Sequence, residues 1–208
     1  AIRERRNLGK LPEGAYAVKS IVSTDMAYGI AKKQGIKLHD VLTGFKFIGE
    51  VIKNYEALGK EDGFILGFEE SYGYLLGSYA RDKDAVEASM MILEMTAFYK
   101  KQNMTLSDAL EALYEKYGVY GEKVIDIYME GLDGIEKRRR IMQSLRDTAP
   151  VSIGGVKVAK VGDYKKGTIL SVATGEEATT GQPASDVLYY TLENEDKIIV
   201  RPSGTEPK

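Results

Sequence analysis

Apolar residues follow two different rhythms along the chain. In residues 1–120, short continuous apolar runs alternate with stretches of helical period. The runs at 16–23, 36–42 and 64–68 are rich in strand formers and bounded by glycine or polar turns, as buried strands are. Between them, Thr24-Asp25 reads as the N-cap of a helix ending at Gly35. Phe47, Ile48, Val51, Ile52 and Tyr55 mark the apolar face of a second helix closing near Gly59. Strand and helix alternating at this spacing predict a mixed, largely parallel α/β sandwich domain. Residues 84–102 carry Val86, Met90, Met91, Leu93, Met95, Ala97 and Phe98, with a narrow polar stripe at Glu87, Glu94 and Lys101. A helix apolar round most of its circumference is expected in a core or between layers, so its methionines read as packing. A further helix is expected at 107–117.

Past Gly118 and Gly121 the rhythm changes. Residues 123–129 alternate as a half-buried strand does. Residues 134–148 form a basic amphipathic helix that Pro150 stops, and short strands follow at 156–161, 168–172, 187–191 and 197–200. This predicts a smaller α+β domain with an antiparallel sheet over residues 121–208, after an α/β domain over 1–120. Residues 1–10, with Arg3, Glu4, Arg5 and Arg6 together and no initiator methionine, read as the tail of a helix and the chain as a fragment of something longer.

Composition narrows the partners. With 208 residues the chain can bury a core, and a net charge of -2 gives no bulk attraction to nucleic acid or to an anionic membrane. The run Glu136-Lys137-Arg138-Arg139-Arg140 is one basic turn of an amphipathic helix, without the aromatic interleaving of a nucleic-acid face. Neither nucleic acid nor membrane is expected as a partner. There is no cysteine, which excludes disulfides and thiolate metal sites and fits a reducing compartment. No apolar run reaches the roughly eighteen residues of a membrane span. The chain is expected to be soluble and cytoplasmic.

Candidate chemistry gathers at two places. After the run Phe64-Ile65-Leu66-Gly67-Phe68 come Glu69-Glu70-Ser71-Tyr72-Gly73, then Arg81-Asp82-Lys83-Asp84 opening the apolar helix. In open α/β sheets ligands bind beyond the carboxyl ends of strands, so Glu69, Glu70 and Ser71 are expected to face one. Carboxylates and a hydroxyl suit the vicinal hydroxyls of a polyol, with Arg81 and Lys83 available to neutralise the acids or meet an anionic substituent. The plainer alternative is a solvated loop in which Asp82 or Asp84 caps the helix, Asp84 and Glu87 standing at capping-box spacing. The second place is the end of the chain, where Arg201-Pro202-Ser203-Gly204-Thr205-Glu206-Pro207-Lys208 follows Ile198-Ile199-Val200. Backbone N–H groups, two hydroxyls and a guanidinium together make a phosphate cradle, where Pro and Gly alone would make an ordinary turn.

Taken together, these motifs resemble the carboxyl-terminal half of the α-D-phosphohexomutases, the phosphoglucomutase/phosphomannomutase superfamily, over nearly all of the chain. Gly67-Phe68-Glu69-Glu70-Ser71-Tyr72-Gly73 resembles the sugar-binding loop, with Phe68 where that motif has the glycine directly before the acid. Arg201 to Pro207 resemble the phosphate-binding loop. Thr43-Gly44-Phe45-Lys46-Phe47-Ile48-Gly49 and Arg81-Asp82-Lys83-Asp84 resemble the two lysine-bearing segments. The resemblance implies that Glu69 and Ser71 bond sugar hydroxyls. It places Lys46 and Lys83 near the sugar and the transferring phosphoryl group, with Lys83 a transition-state contact. Arg201, Ser203, Gly204 and Thr205 would hold the unreactive phosphate.

It further implies interconversion of hexose 1-phosphate and hexose 6-phosphate through a phosphoserine enzyme and a bisphosphorylated sugar. Magnesium and glucose 1,6-bisphosphate would serve as cofactors, and the amino-terminal domains of the same chain as partner. The phosphoserine motif and the Asp-x-Asp-x-Asp magnesium loop belong to those earlier domains and are not found in this sequence. No metal ligand or nucleophile is therefore assigned, and the chain alone is expected to be inactive. Histidine stands at the position of Gly73 in the phosphomannomutase branch, so Ser71-Tyr72-Gly73 places the chain nearer the glucose- or pentose-phosphate branch. A phosphopentomutase and a noncatalytic phosphosugar-binding module are the alternatives. His39, the one histidine, lies away from every motif and reads as structural.

Overall fold

The computed structural model describes residues 2–203 and divides into two compact units, Ala1–Glu122 and Lys123–Lys208. The first unit opens with helix α1 (Ile2–Asn7) and is built on four strands: β1 (Tyr16–Ser20), β2 (Lys37–Val41), β3 (Phe64–Phe68) and β4 (Tyr74–Leu75). Their order is β2-β1-β3-β4. The pairs β1–β2 and β1–β3 are parallel, and β4 returns antiparallel on β3. Every residue of the central strand β1 is buried, as expected for a parallel strand covered on both faces.

Helix α2 (Met26–Gln34) joins β1 to β2. It ends at Gly35, whose backbone at φ 58° is left-handed, a stop that glycine adopts without strain. Helix α3 (Phe45–Glu56) sets Phe45, Ile48 and Ile52 on one face, against Tyr16, Val18, Val41, Phe64 and Leu75 of the sheet. His39 bonds the Tyr55 hydroxyl at 2.9 Å and meets Tyr16 edge-on, and burial pushes its pKa down. The structural reading of this residue fits those contacts.

Helices α4 (Ala85–Lys100) and α5 (Leu106–Tyr117) complete the unit. Thr105 and Asp108 close a full capping box on α5. At α4 the structure corrects an expectation. The helix forms, but none of its residues is buried: Val86, Met90, Leu93 and Met95 are exposed. Hydrophobicity around a helix states a demand for cover, and the core of this unit draws its helical side chains from α3 rather than α4.

The second unit contains helix α6 (Gly131–Asp147) and strands β5 (Ser152–Ile153), β6 (Val156–Asp163), β7 (Thr168–Ser171), β8 (Glu177–Thr179), β9 (Leu188–Leu192) and β10 (Lys197–Val200). The sheet runs β10-β9-β6-β7-β8, antiparallel throughout, with β5 on β6. Met142 of α6 packs with Val158, Leu188, Tyr190 and Leu192 to form the core. Arg146, with its side chain almost fully buried, bonds Asp163 and Asp186. The strand expected at residues 123–129 is absent. The segment has no regular structure, and Val124, Ile125, Ile127 and Tyr128 are exposed. Alternation alone does not make a strand when no neighbour supplies the ladder. Among the described residues no helix is long and apolar enough to cross a membrane.

Candidate functional site

Parallel pairing brings the carboxyl ends of β1, β2 and β3 to one edge of the first sheet. Lys19 lies level with Asp40 on β2 and with Phe68 on β3, so the residues just beyond them share that edge. There, the turn after β2 presents Thr43 and Gly44, and the β3–β4 connection presents Glu69 to Gly73. The backbone N–H of Gly44 donates to Glu69 Oε1 at 2.8 Å. Gly44 sits at φ 121°, where a side chain is rarely accommodated, so a glycine is what allows this amide to turn toward the carboxylate. The Glu69 N–H donates to the Gly73 carbonyl at 3.0 Å and closes the loop.

Glu69 is only 7% exposed. Burial pushes its pKa up; the Gly44 N–H opposes that shift, the neighbouring Glu70 adds to it and Lys83 opposes it. The loop places Glu69 and Lys83 side by side across Gly73. A Cβ there would come within 3.1 Å of both Glu69 Oε2 and Lys83 Cδ, and 3.4 Å from Phe45. Ser71 and Tyr72 stand exposed at the tip. Tyr72 is 87% exposed and held at φ 64°, a left-handed conformation uncommon for a bulky residue.

The other expected residues separate into groups. Lys46, in the first turn of α3, is exposed, with its Nζ 4.9 Å from the Phe47 ring centroid. Lys83 pairs with Asp82 at 3.1 Å and lies 5.8 Å from the Phe45 ring centroid. Arg81 does not neutralise the loop acids: it pairs with Glu56 of α3 at 2.6 Å and bonds the Ser78 and Ala80 carbonyls. Glu70, expected to face a ligand, accepts a hydrogen bond from Ser20 at 2.7 Å. Arg201 and Ser203 follow β10 in the second unit, whereas Gly204 and Thr205 lie outside the described residues.

Asp84 is the N-cap of α4, accepting from the N–H groups of Val86 and Glu87. The expected capping box is half made. Glu87 turns instead to the Leu76 N–H and the Tyr79 hydroxyl, and the Asp84 N–H goes to the Tyr74 carbonyl. Asp82 and Asp84 are thus engaged by an ion pair and a helix cap. They do not fit the open carboxylate set that a magnesium ion takes.

Sequence reasoning passed over Lys19, Ser20 and Ser23, which stand buried beneath the loop. The signal for Lys19 was present: a lysine inside an apolar strand run must find partners or remain outside.

An α/β unit whose parallel strands end in a loop carrying a buried carboxylate, with a lysine beside it, has the architecture in which open α/β sheets place their ligands, beyond the strand ends. The family described as phosphoglucomutase/phosphomannomutase, alpha/beta/alpha domain III, matches residues 1–117, and the chain belongs to it. A phosphoglucomutase of Staphylococcus saprophyticus is 34% identical over 195 residues, covering 93% of this chain and 35% of the relative. One of Staphylococcus aureus is 36% identical over 191 residues, covering 92% and 34%. The chain therefore spans about a third of the length of these relatives.

Two solved structures share the fold. A Paramecium phosphoglucomutase, pp63/parafusin, in its open form has a TM-score of 0.55 at 22% identity, covering 91% of this chain and 30% of that one. A phosphomannomutase-like protein of Thermus thermophilus has a TM-score of 0.52 at 15% identity, covering 97% and 35%.

Proposed function

We infer that this chain is the sugar- and phosphate-recognising part of a phosphoglucomutase-type phosphotransferase, which interconverts hexose 1-phosphate and hexose 6-phosphate. The observation that carries the reading is the Gly44 N–H to Glu69 bond beside Lys83. It joins three of the four family-like segments at one sheet edge. Glu69 and Ser71 bond sugar hydroxyls, and Lys46 and Lys83 supply positive charge toward the sugar and the phosphoryl group. Arg201, Ser203, Gly204 and Thr205 hold the phosphate that does not react.

Phosphoryl transfer depends mainly on positioning and on stabilising charge spread over the transferring oxygens. Anchoring one phosphate fixes the sugar, and hydroxyl contacts that tolerate two orientations let either end of a bisphosphorylated sugar be presented. The nucleophilic serine and the magnesium ligands belong to other domains in this reading, which makes the chain alone a binder without turnover. The second unit is the family's last domain, and the protein works in the cytoplasm. Relatives that bear the name phosphoglucomutase support the hexose phosphate reading over the pentose phosphate one.

Calorimetric titration with glucose 1-phosphate, ribose 1-phosphate and inorganic phosphate tests the assignment. Losing a charge-assisted hydrogen bond of about 1.5–3 kcal/mol corresponds to roughly ten- to a hundredfold in affinity. Arg201→Ala is expected to weaken both glucose 1-phosphate and inorganic phosphate by that order. Glu69→Ala is expected to weaken the sugar phosphate and spare inorganic phosphate. Equal losses on both ligands for both variants would sink the division of roles, and tighter ribose 1-phosphate binding would shift the substrate class to pentoses.

A further inference from the structure

Glu69 and Glu70 point to different anchors. Glu69 is held by Gly44, at the end of β2, whereas Glu70 Oε2 accepts from Ser20 Oγ, at the end of β1. Ser20 is fully buried, and its Oγ also lies 2.8 Å from Ser23 Oγ. A hydroxyl has one proton to give. With the Ser20 proton committed to Glu70, Ser23 must be the donor to Ser20. The chain of bonds thus runs in one direction, from Ser23 through Ser20 to the loop.

Beneath it, Lys19 is 1% exposed. Its Nζ bonds the Ser23 carbonyl at 3.0 Å and the Ser20 carbonyl at 3.3 Å. It also pairs with Asp40 at 3.0 Å, stands 3.7 Å from Asp25, and lies 5.0 Å from the Tyr28 ring centroid. One buried ammonium thus ties together the ends of β1 and β2, the turn leaving β1 and the start of α2. Placing a charge inside a fold is costly unless its partners are well set, and here those partners include the carbonyl of Ser20, whose hydroxyl reaches the loop.

We propose that Ser20 is the positioning residue of the candidate sugar loop and that Glu70 is the strap through which it acts, leaving Glu69 and Ser71 to meet the ligand. The proposal rests on the reading of this loop as a sugar site, but the order it imposes on the loop exists without ligand. A carboxylate strapped to a buried hydroxyl on one strand, beside a carboxylate strapped to a backbone amide on the next, fixes both ends of a short connection. Ser71 follows directly, and its hydroxyl inherits that placement.

Amide hydrogen exchange, read by NMR on the whole chain without ligand, tests this. In Ser20→Ala the amides of Gly44 and Glu69, which close the loop, are expected to exchange about tenfold faster, the order of a lost charged hydrogen bond. The β1 amides of Ala17 and Val18 are expected to keep their protection. Ser20→Thr, which retains the hydroxyl, is expected to restore the wild-type rates. Glu70→Ala, which cuts the same link from the part-buried side, is expected to reproduce the effect, and the double variant to add nothing to either single change.

Unchanged Gly44 and Glu69 rates in Glu70→Ala overturn the proposal, as does uniform acceleration throughout the first unit. A second titration separates the two claims. If the wild-type chain binds glucose 1-phosphate, Ser20→Ala is expected to lower that affinity while leaving inorganic phosphate unchanged. If the wild-type chain binds no sugar phosphate, the functional reading suffers, and the exchange rates alone decide the positioning role.

Discussion

Glu69 carries its carboxylate where burial works against the charge, and one backbone N–H works for it. A carboxyl whose pKa is raised on folding stabilises the fold fully below its unfolded value, and that contribution is lost as pH rises through the folded value. Wild-type stability, compared with Glu69→Gln, should therefore fall as pH increases from the ordinary value of 4.5. The glutamine keeps an oxygen for the Gly44 N–H but has no charge to bury. Urea denaturation of both proteins across the acid range would show the difference; a gap that does not change with pH would mean that Glu69 titrates as it does unfolded. The same chemistry suits the proposed role, since a part-desolvated carboxylate accepts a hydrogen bond from a hydroxyl more strongly than a hydrated one does.

At the scale of elements, α4 shows what a sequence pattern states and what it leaves open. Its N-terminus is well specified: Asp84 caps it, and Tyr79 and Glu87 complete a small network with the Leu76 N–H. Much of its apolar surface is exposed, with Leu93 69% exposed, although Met91 and Phe98 are half-buried. Leu93→Glu should therefore change the unfolding free energy of this chain by less than about 0.5 kcal/mol, as surface substitutions do. A loss of about 2 kcal/mol or more, the size expected for a buried leucine, would show that the face is covered in solution. Denaturation at two protein concentrations would then distinguish cover by a second copy from cover within the chain.

For the whole molecule, the relevant fact is that the chain spans about a third of the phosphoglucomutases it matches. In the proposed reading its own residues hold and orient the ligand, and the nucleophile and the metal come from other domains. The chain alone is expected to show no interconversion of glucose 1-phosphate and glucose 6-phosphate. Adding the amino-terminal portion of a full-length phosphoglucomutase is expected to restore turnover that Arg201→Ala again removes. Binding without rescue would turn the reading toward a noncatalytic phosphosugar-binding module.

Much of this protein was legible in the order of its residues. The run Phe64-Ile65-Leu66-Gly67-Phe68 is a strand at the same limits, the helix stop at Gly35 follows from the left-handed backbone that glycine accepts, and the α/β then α+β succession follows from the change in apolar period. Glu69 and Lys83 stood out because their chemistry is carried by residue type and local spacing. What no local pattern contains is pairing between distant segments. The Ser20–Glu70 bond spans fifty positions and depends on the register of β1 against β3, and Lys19 finds Asp40 only because β1 and β2 lie side by side. For the same reason residues 123–129 could alternate without becoming a strand, and α4 could be apolar without being buried. Periodicity records which face seeks cover, and only the assembled tertiary structure supplies the neighbour.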